Sequence, residues 1–168
     1  MAYDAFMWLD GGEPTAEGET LDATYKDKKA FEIYSFSFGA SNPTTIGSAS
    51  GGAGAGKVSI SSFNIMKKTD SASAAMFTNC AKGKHFDAAH VVLRKAGGVA
   101  IEYLKYNFEE VFVESIQWSG SSGGDDTPTE SVSFAFGKMA IEYEPQLAKG
   151  EEGTKKTATW DIRTNMPS

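Results

Sequence analysis

The chain has 168 residues, with 18 glycines, 5 prolines, 3 tryptophans and a single cysteine. That is the length of one ordinary domain, taken as residues 1–168, able to bury about two thirds of its extended surface without a metal or disulfide staple. Hydrophobic residues at 40% and charged residues at 23% exclude a disordered chain, and glycine without a three-residue period excludes collagen.

Twenty-two acidic residues oppose sixteen basic ones, a net charge of −6. Such a chain repels nucleic acid and anionic membranes, and its lysine pairs (Lys28–Lys29, Lys67–Lys68, Lys155–Lys156) are too scattered to make a basic patch. Cys80 has no partner for an internal disulfide, so folding in the cytoplasm is expected. The first residues lack the basic n-region of a signal peptide, and no run approaches the ~18 apolar residues of a spanning helix.

Tyr3 to Leu9 is a short aromatic run and predicts a first strand, ended by Gly11-Gly12-Glu13-Pro14. Residues 13–30 are polar and predict a loop or edge region. Glu32 to Phe38 alternates, with Tyr34, Phe36 and Phe38 on one face and Ser35 and Ser37 on the other, which predicts a half-buried strand. Gly39 to Gly56 is almost wholly Gly, Ala, Ser, Thr, Asn and Pro. It is longer than the roughly 15 residues of a usual unstructured connection, so it is either mobile or held by something outside the fold. Val58 and Ile60 restart the alternation and Phe63 and Ile65 continue it in the opposite phase, which predicts a bulge or bend.

Asp70 to Ala81 is the helix candidate. Thr69, Asp70 or Ser71 can cap it, Ala72, Ala75, Met76 and Cys80 share a face, and Gly83 stops it. Ala89–Lys95, Ala100–Phe108, Val111–Trp118, Ser131–Tyr143 and Lys156–Ile162 predict strands. A tight Glu109–Glu110 region, a Gly/Ser/Asp loop over 119–126 and a polar linker over 144–156 separate them. About seven or eight short strands with one helix leave no room for repeated crossover helices and favour an antiparallel barrel or sandwich.

Chemistry is scarce. Gly51 to Lys57 fits the G-x-x-x-x-G-K spacing of a phosphate loop. However, Val58 stands where a Ser or Thr hydroxyl is needed, and a strand pattern follows where a helix should begin. His85, Asp87 and His90 cannot share one strand face, and no second cysteine or further histidine completes a zinc site. Asp125–Asp126 lacks the spacing of a calcium loop, and Glu109–Glu110 and Glu142–Glu144 are ordinary strand-face carboxylates. Cys80 falls on the apolar helix face, and Pro43 blocks the Asn42-x-Thr44 glycosylation triplet. No catalytic residue, metal or cofactor is expected.

Ordered stretches carry a resemblance across some 160 residues. They include Met1-Ala2-Tyr3-Asp4-Ala5-Phe6, Ile33-Tyr34-Ser35-Phe36-Ser37-Phe38-Gly39 and Gly54-Ala55-Gly56-Lys57-Val58. Cys80-Ala81-Lys82-Gly83-Lys84-His85-Phe86, Leu93-Arg94-Lys95-Ala96-Gly97-Gly98 and Gly120-Ser121-Ser122-Gly123-Gly124-Asp125 follow, then Glu142-Tyr143-Glu144-Pro145-Gln146 and Trp160-Asp161-Ile162-Arg163. The chain resembles the haemolysin-coregulated protein (Hcp) family, the tube proteins of bacterial type VI secretion. Asn42-Pro43-Thr44-Thr45-Ile46 departs from the more Ser/Gly/Met-like stretch of the family.

The resemblance implies a small, mainly β, antiparallel barrel of two packed sheets with one short α-helix outside, similar to phage tail-tube proteins. It implies homohexameric rings that stack into a tube, are propelled by a contractile sheath behind a tip spike protein, and carry small effector proteins in the lumen. The protein would be cytoplasmic before firing and then secreted without a signal peptide. Ending at Ser168, it matches the form without a toxin extension. The long loop 39–57 would dock on a neighbouring subunit or ring, and Asn42, Ile46, Gly51, Gly54, Gly56, Lys57 and Asp125 are the interface candidates. A monomeric β-sandwich binding glycans or other ligands through Trp8, Trp118 and Trp160 is the competing reading, and a nucleotide hydrolase the third.

Overall fold

The structure, a computed structural model, describes residues 3–46, 53–96, 100–147 and 150–168. Its strands in chain order are β1 (Tyr3–Asp10), β2 (Phe31–Glu32), β3 (Ser35–Ser37), β4 (Ala40–Ser41), β5 (Thr44–Ile46), β6 (Ala53–Ala55), β7 (Ser59–Ile60) and β8 (Phe63–Lys68). The helix α1 (Ser71–Lys82) comes next, then β9 (His85–Lys95), β10 (Glu102–Ser119), β11 (Thr129–Tyr143) and β12 (Lys156–Asp161). Eight strands form one antiparallel sheet in the order β2-β1-β9-β10-β11-β8-β3, with β12 also paired to β11.

One stretch of chain joins both edges of this sheet. β2 pairs with β1, and β3, two residues later, pairs with β8. Between them Ile33 N–H donates to Ala5 O at 3.0 Å and Tyr34 N–H donates to Met66 O at 2.8 Å. Consecutive amides therefore reach opposite edges, and the sheet curls on itself. The expected barrel with a helix against it is present, and its two packed layers are walls of one continuous sheet. The single strand expected over 32–38 is instead broken at residues 33–34. That break turns Tyr34 out to 56% exposure, while Phe36 and Phe38 stack on Phe63 and Tyr106 inside.

The interior is filled by alternating residues: Ala5, Met7 and Leu9 from β1, Val91 and Leu93 from β9, Tyr106 and Phe108 from β10, Val132 and Phe134 from β11. Each large side chain so buried contributes about 1.5–3 kcal/mol. The alternation changes phase in three neighbouring strands at one row. Phe86 is followed by Ala89, Phe108 by Val111 and Phe136 by Met139. Asp87, Glu110 and Gly137 lie where the phase turns, and Glu110 has φ +53. This crease explains why the sequence read as two strands over 100–108 and 111–118; the chain runs through as one, β10. β9 likewise begins at His85, before the expected Ala89.

The helix matches its expected span. The Asp70 carboxylate accepts from Ala72 N–H at 3.0 Å and Ser73 Oγ accepts from Asp70 N–H at 3.0 Å, a capping box, and Gly83 closes the other end at φ +64. Ala72, Ala75 and Met76 face the core, as the periodicity predicts, and Cys80 packs against it. Asn79, fully buried, ties the helix to the loop after β1: its amide donates to Pro14 O at 2.8 Å and its oxygen accepts from Glu13 N–H at 3.1 Å.

Candidate assembly surface

The described residues of the long 39–56 segment form a ribbon. β4 pairs with β7 and β5 with β6, as two small two-stranded sheets separate from the eight-stranded sheet. At its base Ser61 N–H donates to Gly39 O at 2.8 Å, and further out Gly56 N–H donates to Pro43 O at 3.0 Å. A Cβ on Gly56 would lie 2.8 Å from that same oxygen, so only glycine lets the two strands approach here. Asn42 and Lys57 are exposed on the ribbon, Ile46 pairs with Ala53, and Gly54 pairs with Thr45. Gly51 lies outside the described residues. The Gly56 amide, a donor that a phosphate loop would need free, is used within the ribbon.

Asp125 stands apart from the other candidates. It lies in the exposed loop between β10 and β11, with Lys68 Nζ at 3.8 Å. Lys68 ends β8, whereas the ribbon leaves from the Phe63 end of the same strand. Six strand residues separate the two features, roughly 17 Å at the usual rise. Within one copy the structure does not bring Asp125 to the ribbon.

The corner around Asp125 is firmly built. Lys67 and Glu130 are fully buried and paired at 2.8 Å. Lys67 Nζ also donates to Asp70 Oδ1 at 2.7 Å and to Lys68 O at 2.8 Å. Glu130 accepts from Ser73 Oγ at 2.9 Å and from Trp118 Nε1 at 2.8 Å. The network fastens the helix N-terminus to the sheet and holds the Trp118 indole beside Phe77, with ring centroids 5.9 Å apart. Phe77 is 52% exposed and Trp118 45%. The sequence reading singled out Trp118 only as a possible ligand-binding tryptophan and passed over Phe77, which falls off the apolar stripe of the helix.

Tyr25 was missed too. It is fully buried on the outer face of the sheet, stacked on Phe6 at 4.5 Å and beside Trp8 at 6.0 Å, under the loop 13–30. Its hydroxyl donates to Glu102 Oε1. Burial first, then that hydrogen bond, pushes the Tyr25 phenol well above its ordinary value. Nearby, the Arg94 guanidinium donates to Asp22 at 2.7 Å and holds the Asp22 carboxyl below the usual range. Burial raises the Glu102 carboxyl, but hydrogen bonds from Lys105 and Tyr25 outweigh it and the net direction is down. A lone tyrosine in a polar run carries no periodic signal, so nothing in the sequence marked it.

The remaining candidates do not converge. His85 and Asp87 share an exposed face, 4.0 Å apart, while His90 lies between Asp10 (2.9 Å) and Asn107 (2.7 Å), stacked on Trp8. Among the described residues no group of three metal-ligating side chains forms. Glu110 pairs with Arg163 at 2.7 Å and Glu142 with Lys155 at 2.8 Å. The tryptophans occupy three separate environments: Trp8 under Lys28, Trp160 against the core and Trp118 beside Phe77. They do not form the shared platform that a glycan site requires.

A ribbon apart from a curled sheet, with no assembled chemistry among the described residues, is the setting for comparison with known proteins. The family model described as type VI secretion system effector, Hcp, matches residues 6–143. The chain belongs to the Hcp family. Protein hcp1 of Pseudomonas aeruginosa is 36% identical over 112 residues, covering 66% of this chain and 68% of that protein. A solved type six secretion system protein superposes with a TM-score of 0.90 at 31% identity, over 99% of this chain and 100% of that one. Hcp1 from Salmonella typhimurium gives 0.79 at 32% identity, with both chains fully covered. Hcp membership gives the chain a structural, non-enzymatic role in type VI secretion.

Proposed function

We propose that this Hcp protein is the tube subunit itself. Six copies close into a ring, rings stack into a tube, and the lumen carries small effector proteins. A contractile sheath drives the tube outward behind a tip spike protein, and the protein leaves the cytoplasm without a signal peptide. The observation that carries the reading is the ribbon β4–β7. A two-stranded ribbon is marginal in water, and this one pairs with no strand of the barrel. Its hydrogen-bonding edges and its small side chains are suited to lie on another copy. A closed ring needs a heterologous interface, one patch meeting a different patch, and the ribbon at one end of β8 with the helix corner at the other supplies two such patches.

A second feature supports a wet inner wall. One register-aligned face of β3, β8, β11 and β10 carries Ser35, Ser37, Asn64, Ser131, Ser133 and Gln117, uncovered by any loop of the described chain. Such a face is rich in hydrogen-bonding groups, with Glu114 beside Ser133 and Lys68 at its end as its charges, which suits transient cargo of varied sequence. Size-exclusion chromatography with light scattering tests the ring: about six subunits per particle supports it.

A further inference from the structure

We propose that Leu21 and the acidic cleft beside it are a docking site for a protein that lies along the outside of the ring and offers an apolar socket rimmed by lysine or arginine. The inference rests on the ring reading above, in which that protein is the sheath. Leu21 is 93% exposed, more than any other large apolar side chain among the described residues. Single apolar side chains on a surface are ordinary, but one at the tip of a firmly held loop loses little freedom on binding. Below the tip, Gly18 N–H donates to Lys29 O at 2.8 Å and Thr20 N–H donates to Ala30 O at 3.1 Å. A Cβ on Gly18 would run into the Ala30 carbonyl, so the two segments meet closely only because glycine stands there. Past the tip, Asp22 O accepts from Lys26 N–H at 2.9 Å, and the Asp22 carboxylate accepts from Thr24 N–H at 2.9 Å and from Arg94 at 2.7 Å. Before it, Ser71 Oγ of α1 donates to Glu19 at 2.8 Å.

Charge selects the partner. Glu17 and Glu19, both exposed, precede Leu21. After it, a cleft of about 340 Å³ opens, lined in part by Tyr25, Arg94, Glu102, Lys105, Glu144 and Glu152. Its two cations are already engaged, Arg94 with Asp22 at 2.7 Å and Lys105 with Glu102 at 2.6 Å. Glu144 and Glu152 therefore leave the cleft with surplus negative charge, which a basic side chain would complement while an apolar socket closes on Leu21. The position fits an outside partner. The loop 13–30 covers Phe6, Trp8 and Val92 on the outer face of β1 and β9, whereas the hydroxyl-rich face of β8 and β11 belongs to the opposite wall of the curled sheet. With the hydroxyl-rich face lining the channel, the Leu21 loop lies on the outside.

The test mixes rings of this chain with the purified sheath protein of the same secretion system and reads co-sedimentation. Leu21→Asp is expected to keep the melting curve and the ring size and to weaken sheath binding about tenfold or more. Leu21→Met is expected to bind as wild type does. Glu144→Gln combined with Glu152→Gln is expected to reduce the fall of binding with added salt. Leu21→Asp rings that bind the sheath protein at wild-type strength, or wild-type rings that do not bind it at all, overturn the site and leave the ring standing. Leu21→Asp chains that fold but no longer form rings place Leu21 between copies, which overturns the site as well. A wild type that is monomeric at every concentration brings down the ring reading and the site with it.

Discussion

Glu130 shows how much a single side chain can hold. Its carboxylate is fully buried and accepts hydrogen bonds from Lys67, Ser73 and Trp118 at once. A buried pair of this kind is not a large net gain, but breaking it strands a charge. Glu130→Ala is therefore expected to cost about 3–5 kcal/mol in urea unfolding. An unchanged midpoint would mean that Lys67 finds a full replacement in Asp70. The titrating groups around Tyr25 set limits at both ends of the pH scale. Asp22 and Glu102 lie below their ordinary values, so their contribution is present above those values and is lost as pH falls below about 4.5. Tyr25 lies above its ordinary value of 10.0, so the folded state holds the proton longer and stability falls as pH rises past it. Melting temperature against pH should drop at both ends, and Tyr25→Phe should flatten the alkaline drop and, through the lost hydrogen bond to Glu102, soften the acid one. The sequence revealed none of this. Lys67 looked like half of a surface lysine pair and Tyr25 like part of a loop, because burial of a polar residue depends on partners far away in the chain.

Elements were far more legible than residues. The helix was readable from its cap, stripe and stop, since those signals are local, and Asp70→Ala is expected to cost about 1–2 kcal/mol through loss of the cap, measured by thermal unfolding. The strand boundaries went wrong where the local pattern had a non-local cause. The alternation over 32–38 looked continuous, but the chain there crosses from one sheet edge to the other. The Glu109–Glu110 signal was real; it marks the crease in a single strand rather than a turn between two. The glycine-rich 39–56 stretch has no apolar periodicity, so the pairing within it was invisible, and its length alone left it either mobile or held from outside the fold. Replacing residues 40–60 by a short turn is expected to leave the melting temperature of the barrel within a few degrees and to abolish assembly. A large fall in melting temperature would make the ribbon part of the barrel's own stability.

The molecule as a whole has more surface features than one copy can use. Its barrel closes through one stretch of chain, its core is filled, and Lys67 and Glu130 are paired at the helix corner. Among the described residues, a ribbon stands apart from the main sheet and an aromatic pair is half exposed, at opposite ends of β8. Half of the eighteen glycines fall in residues 39–61 and in the loop 119–128 beside the aromatic pair. The central claim is that copies meet head to tail in closed rings. Light scattering across a wide concentration range, with electron micrographs of the same sample, tests it most directly. Particles of about six subunits seen as rings are the expected result. A strict monomer at every concentration, with no ring in the micrographs, would contradict it.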